Sequence, residues 1–304
     1  MNGYLLSRPM AQIREIKRRI KAVGNIRRIT NTMQMIATAR FKAAQDRATA
    51  TKPYTEKVRG LVQELAANAG DVENPLFHPP SEPANRELVL VLSSQRGLCG
   101  SFNSNVLRKA MHYITSLGEK ACVEAVGKKG IAFFKFAGVE LAVQHNEFGD
   151  KPKYEDVEAV ATRYIEEFIA WKYDKISVAY MKFHSAGRQT AVIEQLLPME
   201  PPSADGNGDG STVQHSGFNV EYEFSPDAET LLSDLLPITV KTELYQTFTD
   251  STVSEQVARM VAMKAATDNA GKLGKTLKRN FNRARQTQIT TELTEIVGGA
   301  AALE

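Results

Sequence analysis

The N-terminal segment carries apolar residues at the spacing of a coiled-coil seam. A first run is spaced 3-4-3: Ile13, Ile16, Ile20 and Val23. A second run repeats this spacing after an offset of three residues: Ile26, Ile29, Met33 and Ile36. Such an offset overwinds a supercoil locally. We expect one long helix over residues 11–70, with a kink or a break near Pro53, because proline removes a helical hydrogen bond.

The middle of the chain changes from this helical pattern to short apolar runs. Residues 71–86 contain four prolines and predict a linker. Beyond it, strand-like runs alternate with helical ones, which predicts a small Rossmann-like α/β domain over residues 87–197 with a mainly parallel sheet. The predicted strands span residues 88–92, 121–126, 139–143, 176–183 and 190–197, and the predicted helices span residues 103–117, 128–136 and 155–171.

A second long helix is expected at the C-terminus. Residues 198–228, rich in Pro and Gly, predict a flexible surface loop, and the helix follows over residues 229–304. Its apolar positions are Leu244, Phe248, Val257, Val261, Leu273, Leu277, Phe281 and Ala284. About sixty helical residues span roughly 90 Å, whereas a globule of this chain length has a radius of gyration of only roughly 19 Å. We therefore expect the two long helices to pair as an antiparallel coiled coil that extends beyond the α/β domain.

Charge is sorted along the chain, although the formal net charge is only +3. Residues 11–52 hold eleven Lys and Arg against two acids, a net charge of +9. Residues 255–295 hold eight Lys and Arg against four acids, a net charge of +4. The other residues of the chain therefore carry a net charge of −10. Two basic helices therefore flank an acidic middle.

Composition excludes several classes of protein. Hydrophobic residues make up 42% of the chain and charged residues 24%, which is typical of a folded domain. The apolar runs are too short for a membrane-spanning helix, and no signal peptide is recognisable. The two cysteines, Cys99 and Cys122, form neither a disulfide framework nor a metal-ligand spacing. We expect no secreted scaffold, membrane-spanning protein or zinc protein.

The turn after the first predicted strand, residues 93–103, is the candidate chemical site. Nucleotide-binding folds hold phosphate at such a turn, because helix N-terminal amides attract anions. Yet neither G-x-G-x-x-G nor G-x-x-x-x-G-K-[ST] is present. We interpret Gly97, Gly100 and Asn103 as a structural turn, with Asn103 or Ser101 as the N-cap of the next helix.

Two further groups could carry chemistry. Cys99 follows Arg96 at a helix start, a placement that can activate a thiol as a nucleophile. None of the five histidines is placed by sequence to serve it as a base, so a buried thiol is the favoured interpretation. Glu292 and Glu295 lie three residues apart near the end of a helix, where solvated carboxylates are more common than an acid/base pair.

The basic helices leave three interpretations open. They could bind nucleic acid through its phosphates, but their basic residues interleave with apolar seam positions along the whole length. They could carry solvated basic faces without any partner. They could also lie within an acidic protein surface.

Four segments resemble the gamma subunit of F-type ATP synthases. They are residues 13–40, 97–103, 254–269 and 282–300, in the family's order. The last fits the signature I-T-x-E-x-x-E-x-x-x-G-A, which begins here at Ile289. The resemblance covers nearly the whole chain, but residues 1–10 precede the family's usual start, and the loop over residues 200–217 is longer than is typical.

The resemblance implies a rotor shaft without a catalytic site, cofactor or metal of its own. The coiled coil would stand inside a ring of alpha and beta subunits, and the α/β domain would bind the epsilon subunit and the c-ring. No nucleic acid is implied, and the membrane would be contacted only through the c-ring. The chain would lie peripherally on the cytoplasmic face of the bacterial plasma membrane and would transmit rotation for ATP synthesis or hydrolysis.

The resemblance also implies a set of contact residues on the shaft. Contacts with the surrounding ring would come from Arg27, Arg28, Met33, Arg259, Arg285, Gln286, Thr290 and Glu292. A smooth bearing at the C-terminal tip would come from Val297, Gly299 and Ala300.

Overall fold

The computed structural model describes residues 7–68, 74–77, 83–149, 151–199 and 228–301. Part of the expected N-terminal extension (1–10), half of the linker (71–86) and nearly all of the expected loop (198–228) therefore lie outside the described residues. The chain divides into two compact units. The first consists of Met1–Ala39 and Arg259–Glu304, and the second of Arg40–Ala258.

Long helices stand at both ends of the described chain, with alternating strands and helices between them. The elements in chain order are α1 (Ser7–Asn68), β1 (Glu87–Leu92), α2 (Phe102–Leu117), β2 (Ala121–Val126), α3 (Lys128–Phe136), β3 (Val143–His145), α4 (Tyr154–Ile169), β4 (Lys175–Ser185), β5 (Arg188–Leu197) and α5 (Ala228–Ala301).

Helix α1 is continuous through Pro53. The sequence predicted a kink or a break near this residue, and the break is wrong. Helix α5 likewise continues through Pro237. A proline inside a helix removes a single hydrogen bond of the ladder. Packing on both sides compensates at Pro53, because Ala48 and Val58 are buried.

The seam of α1 differs from the predicted one. Most of its less exposed positions follow one seven-residue repeat, interrupted only by exposed Arg27: Ile13, Ile16, Ile20, Val23, Thr30, Gln34, Ala37, Phe41, Ala44, Ala48, Thr51, Thr55, Val58, Val62 and Leu65. Met33, Arg40, Arg47 and Gly60 are partly buried beside this repeat. Ile26, Ile29 and Ile36, predicted to lie in the seam, are 52%, 58% and 49% exposed. The predicted overwinding is therefore wrong, because the second apolar run lies on another face of the same regular helix.

In the first unit, α1 and α5 run antiparallel. Thr267 Oγ1 donates a hydrogen bond to Thr30 Oγ1 over 2.8 Å. A Cβ atom built on Gly274 would lie 3.9 Å from Val23 Cγ1. Later residues of α1 thus contact earlier residues of α5, which is the antiparallel arrangement that the sequence predicted. A polar pair within a seam favours one register at some cost in stability.

In the described residues of the second unit, five strands form the sheet in the order β3-β2-β1-β4-β5. All neighbouring pairs are parallel except β4 with β5, so the mainly parallel sheet is confirmed. The strand predicted at residues 139–143 is wrong, since β3 begins only at Val143. The amide of Val139 instead bonds to Phe134 O, which closes the end of α3.

Two apolar layers cover the sheet. On one face, α2 and α3 pack against β1 and β2 around Val89, Val91 and Phe134. On the other face, α4 and the early part of α5 pack against the sheet together with the end of α1. The buried residues of α5 in this second layer recur every four positions: Leu232, Leu236, Val240, Leu244 and Phe248.

A polar face of α5 in the second unit joins it to α1. Thr51 Oγ1 lies 3.3 Å from Gln246 Oε1, and Gln246 Nε2 donates to Asp250 Oδ1 over 2.9 Å. Arg59 Nε lies 3.7 Å from Glu243 Oε1. Burial raises the pKa of Asp250 to about 6, with the ammonium groups of nearby lysines opposing the rise.

We expect Asp250→Asn to stabilise the chain by about 1–2 kcal/mol at pH 8, because asparagine keeps the hydrogen bond from Gln246 and removes a buried charge. The pKa of Asp250 is higher in the folded state than in the unfolded chain, so its ionisation costs stability above pH 6. The advantage of the variant should shrink as the pH falls through 6 towards 4. Urea denaturation of the full chain at several pH values measures this. Asp268→Asn, at an exposed site on the same helix, is the control; an equal gain there would contradict the assignment.

Candidate functional site

The turn between β1 and α2 is held closed by one side chain. Asn103 Oδ1 accepts a hydrogen bond from the Ser94 amide over 3.0 Å, and Asn103 Nδ2 donates to Ser94 Oγ over 2.8 Å. Leu98 and Gly100 adopt positive φ angles of 65° and 57° within the turn. Ser101 occupies the N-cap position without a side-chain capping bond, so a capping role for Asn103 is wrong. Asn103 instead links the first turn of α2 back to the end of β1.

The same turn occupies the N-terminal amides of α3, which is where an anion would bind. The Lys128 amide donates to Gln95 Oε1 (3.4 Å), the Lys129 amide to Ser94 O (3.2 Å), and the Gly130 amide to Ser93 Oγ (2.8 Å). Helix N-termini bind phosphate through free amides of this kind. Because these three donors are already bonded, the end of α3 does not offer them to a phosphate.

Gly97 and Gly127 show how closely this turn approaches α3. A Cβ atom on Gly97 would lie 3.6 Å from Lys129 Cε, which is ordinary contact. At Gly127, where φ is +90°, a Cβ atom would lie 2.3 Å from Ser93 O. The backbone crossing at Gly127 therefore leaves no space for a side chain.

Cys99 is 2% exposed and packs within this turn. Its Sγ atom lies 3.2 Å from Asn103 Nδ2 and 3.7 Å from Ser94 Oγ, and neither group is a base that could activate a thiol. The geometry is that of a buried thiol in the core. Among the residues that the structure describes, no three His, Cys, Asp or Glu side chains come together as metal ligands.

A shallow, open cleft with a cavity volume of about 40 Å³ lies beside the turn, between the sheet and α5. Its lining includes Ser93, Gln95, Phe148, Phe248 and Glu255. Among the described lining residues there is one carboxylate and neither histidine nor cysteine, so these residues do not form the pairs of groups that general acid/base or nucleophilic chemistry needs.

A buried group of charges joins β2, β3 and α4. Glu124, with a side chain only 1% exposed, accepts two hydrogen bonds from Arg163, at 2.9 and 2.7 Å. It also accepts from Tyr164 Oη (2.8 Å) and pairs with His145 Nε2 (2.9 Å). Burial alone would raise the pKa of Glu124, but these partners lower it to about 2. Sequence reasoning missed this group, although an acid inside the apolar strand β2 was a visible signal.

The shaft residues implied by the family resemblance mostly face outward in the first unit. Arg27, Arg28, Arg285, Gln286, Thr290 and Glu292 are exposed, as are Val297, Gly299 and Ala300, and Met33 is partly exposed. Arg28 Nη2 donates to Asn25 Oδ1 over 2.6 Å, and Glu292 Oε1 accepts from Gln288 Nε2 over 2.7 Å. Arg259 differs, because only 9% of it is exposed.

Sequence reasoning also missed an outer apolar stripe, which we define as Ile26, Ile29, Met33 and Ile36. These residues keep 3-4-3 spacing on a face of α1 next to the seam. The signal was the position of Ile26, which lies one residue earlier than a regular continuation of the first run would place it. A shift of one position rotates a helical face by about 100°. Two of the apolar positions noted along α5, Val261 (54%) and Leu273 (50%), are also exposed.

No helix in the described part of the chain combines the length and the apolar character needed to span a bilayer. Comparison with solved structures shows a similar fold in two rotors. The chain has a TM-score of 0.61 and 17% identity to a rotor chain of the Euglena gracilis mitochondrial ATP synthase, covering 92% of this chain and 99% of that one. A chain from the central stalk/c-ring structure of the Tetrahymena thermophila enzyme gives a TM-score of 0.55 and 20% identity, covering 78% and 99%.

Sequence comparison covers the whole length of the relatives. A family model described as ATP synthase matches residues 12–303. The chain is 46% identical to the ATP synthase gamma chain of Rhodopirellula baltica and 40% identical to that of Leptospira biflexa serovar Patoc. Each alignment covers 97% of this chain and 100% of the relative. The chain therefore belongs to the ATP synthase gamma chain family.

Proposed function

We propose that this chain is the central rotor shaft of a proton-translocating F-type ATP synthase and has no catalytic site of its own. The observation that carries the proposal is the full-length match to gamma chains, which includes both long helices. The N-terminal amides of α3 beside this turn are bonded within the protein, which agrees with a structural rather than a phosphate-binding role for that helix end.

The partners that we propose are the alpha and beta subunits around the helix pair, and the epsilon subunit and the c-ring at the α/β domain. The complex would lie on the cytoplasmic face of the bacterial plasma membrane, with this chain bound peripherally through the c-ring. Charge supports the arrangement, because the helices are basic and the remainder of the chain is acidic.

The surface of the first unit suits a contact that must exchange during rotation. Arg27 and Arg28 are exposed beside the outer apolar stripe. Exposed ion pairs contribute only about 0–1 kcal/mol each, so acidic groups on passing subunits can form and leave them readily. At the tip, residues 291–300 are all exposed, and nothing lies within 4 Å of a Cβ atom built on Gly298 or Gly299. The small apolar residues from Val297 to Ala300 carry no side-chain hydrogen-bonding groups, which favours smooth sliding there.

Reconstitution with the alpha and beta subunits of Rhodopirellula baltica tests the proposal. We expect the full chain to co-elute with both subunits and to raise their ATPase activity several-fold. Arg27→Glu combined with Arg28→Glu should reduce the activation by about two- to tenfold, since it reverses two charges at contacts worth about 0–1 kcal/mol each.

The matched control is Lys128→Glu combined with Lys129→Glu. It makes the same charge change on exposed residues of α3, outside the first unit. Activation should be retained in this variant. Failure of the unaltered chain to join the subunits would overturn the proposed function, and equal losses in both variants would overturn the assigned contact surface.

A further inference from the structure

His145 is held between two carboxylates. Its Nε2 atom lies 2.9 Å from Glu124 Oε2, and its Nδ1 atom lies 2.7 Å from Glu147 Oε1. An ionised carboxylate only accepts hydrogen bonds, so both ring nitrogens must donate. The arrangement therefore requires the doubly protonated, positively charged imidazolium.

The two carboxylates differ in their access to water. The side chain of Glu124 is 1% exposed and is also bonded to Arg163 and Tyr164 of α4, whereas the side chain of Glu147 is 57% exposed. A neutral imidazole can donate only one hydrogen bond. After loss of the proton, the bond to buried Glu124 should persist and the bond to Glu147 should break, because water can solvate Glu147 but not Glu124.

The segment that Glu147 anchors also contacts α5. The ring of Phe148 lies 5.7 Å from that of His145 and 4.8 Å from that of Phe248 on α5, measured between centroids. Phe148 and Phe248 are 4% and 5% exposed, and Gln95 Nε2 donates to Phe148 O over 2.8 Å. An unbroken series of contacts therefore leads from β2 through His145 and Phe148 to α5.

Strand β3 is held weakly by its own backbone. It has three residues and, within the described part of the chain, lies at the edge of the sheet and pairs with β2 alone. Short edge elements open locally more easily than central strands. The position of residues 146–149 therefore depends on side-chain contacts, of which those of His145 are the charged ones.

We propose that His145 is a positioning residue: its imidazolium anchors residues 146–149 so that Phe148 stays packed against Phe248 of α5, and deprotonation releases this attachment. The inference rests on the proposed rotor function, in which torque passes between the α/β domain and α5. The attachment is then one path for that torque, and it weakens in alkaline conditions.

The sign of the pH dependence follows from the groups that face His145. Glu124 from β2 and Glu147 from its own segment bond to the ring of His145. Arg163 and Tyr164 from α4 bond to the same carboxylate of Glu124. Burial lowers the pKa of His145, but the two carboxylates outweigh it, and the pKa lies above its usual value of 6.5. The stabilising contribution is thus complete below pH 6.5 and is lost as the pH rises through the folded-state pKa.

Hydrogen exchange of the full chain between pH 6 and 9 tests the release. Exchange rates are first corrected for their intrinsic pH dependence. The equilibrium constant for local opening of residues 146–149 should then be about tenfold larger at pH 9 than at pH 6, as expected for the loss of one charged hydrogen bond. His145→Gln should show the open behaviour at every pH, since glutamine can bond to only one carboxylate as a donor at this position. His184→Gln, at an exposed site on β4, should behave like the unaltered chain.

Glu147→Gln provides a second variant that retains the buried charges. It removes the outer carboxylate, so the opening should shift to lower pH. In the reconstituted, membrane-bound complex, the ratio of proton pumping to ATP hydrolysis should fall with rising pH for the unaltered chain and for His184→Gln, and should already be low at pH 6.5 for His145→Gln.

Two results would overturn the inference: pH-independent opening of residues 146–149 in the unaltered chain, or unchanged opening in both His145→Gln and Glu147→Gln. Failure of the proposed rotor function would show separately, as failure of the unaltered chain to assemble with alpha and beta. The exchange experiment on the full chain still decides the inference in that case.

Discussion

Replacing Glu124 by alanine should lower the free energy of unfolding by about 3–5 kcal/mol at pH 7. The substitution leaves Arg163 and His145 without their shared carboxylate in a buried site, and it removes the acceptor of Tyr164 Oη. Removing one member of a buried ion pair costs more than the pair itself contributes, because the remaining charge stays desolvated. Urea denaturation of the full chain, followed by circular dichroism, measures the loss.

The effect of Glu124→Ala should depend on pH in a defined direction. The pKa of Glu124 is lowered from 4.5 to about 2 in the folded protein, so its stabilising contribution is present above pH 4.5 and is lost as the pH falls towards 2. The difference between variant and unaltered chain should therefore shrink in that range. Glu166→Ala, at an exposed site on α4, is the control and should change stability by less than about 0.5 kcal/mol. A loss below 1 kcal/mol for Glu124→Ala would contradict the role of this charge cluster.

The α/β domain was largely predictable because its central strand is buried on both faces. Strand β1 is buried at all six positions, and such strands appear in a sequence as continuous apolar runs between turn signals. The exception is the segment at residues 139–143. Val139 and Leu141 are partly buried, as the apolar pattern suggests, but the backbone there ends α3 rather than pairing with β2. The pattern of apolar side chains predicts which positions are buried. It does not predict which acceptor a backbone amide bonds to.

The long helices were predictable as elements, but their faces were not. The seam of α1 continues through Thr30, Gln34 and Ala37, which are polar or small, while the larger apolar residues Ile26 and Ile29 face outward. A rule that assigns apolar residues to a seam fails when the helix has a second apolar surface. In the rotor that we propose, this second surface is available to the surrounding subunits.

The charge cluster was beyond sequence reasoning for a different reason. Glu124 is 21 residues from His145 and 39 residues from Arg163, and only the crossovers of the sheet bring them together. Spacing along the chain carries no information about such contacts. The acid within β2 could still have been flagged, because an ionised carboxylate in a buried strand requires partners.

Gly127→Ala is expected to destabilise the chain by about 3 kcal/mol or more, enough to reduce the yield of folded protein. The added Cβ atom would lie 2.3 Å from Ser93 O, a backbone atom, and φ is +90°, which L residues rarely adopt. Gly60→Ala should instead stabilise by about 0.5–1 kcal/mol, because its Cβ atom meets nothing within 4 Å inside α1. Urea denaturation of both variants compares the two effects directly. Unchanged stability of Gly127→Ala would show that the turn and α3 are not tightly joined, and the N-terminal amides of α3 could then open to bind phosphate.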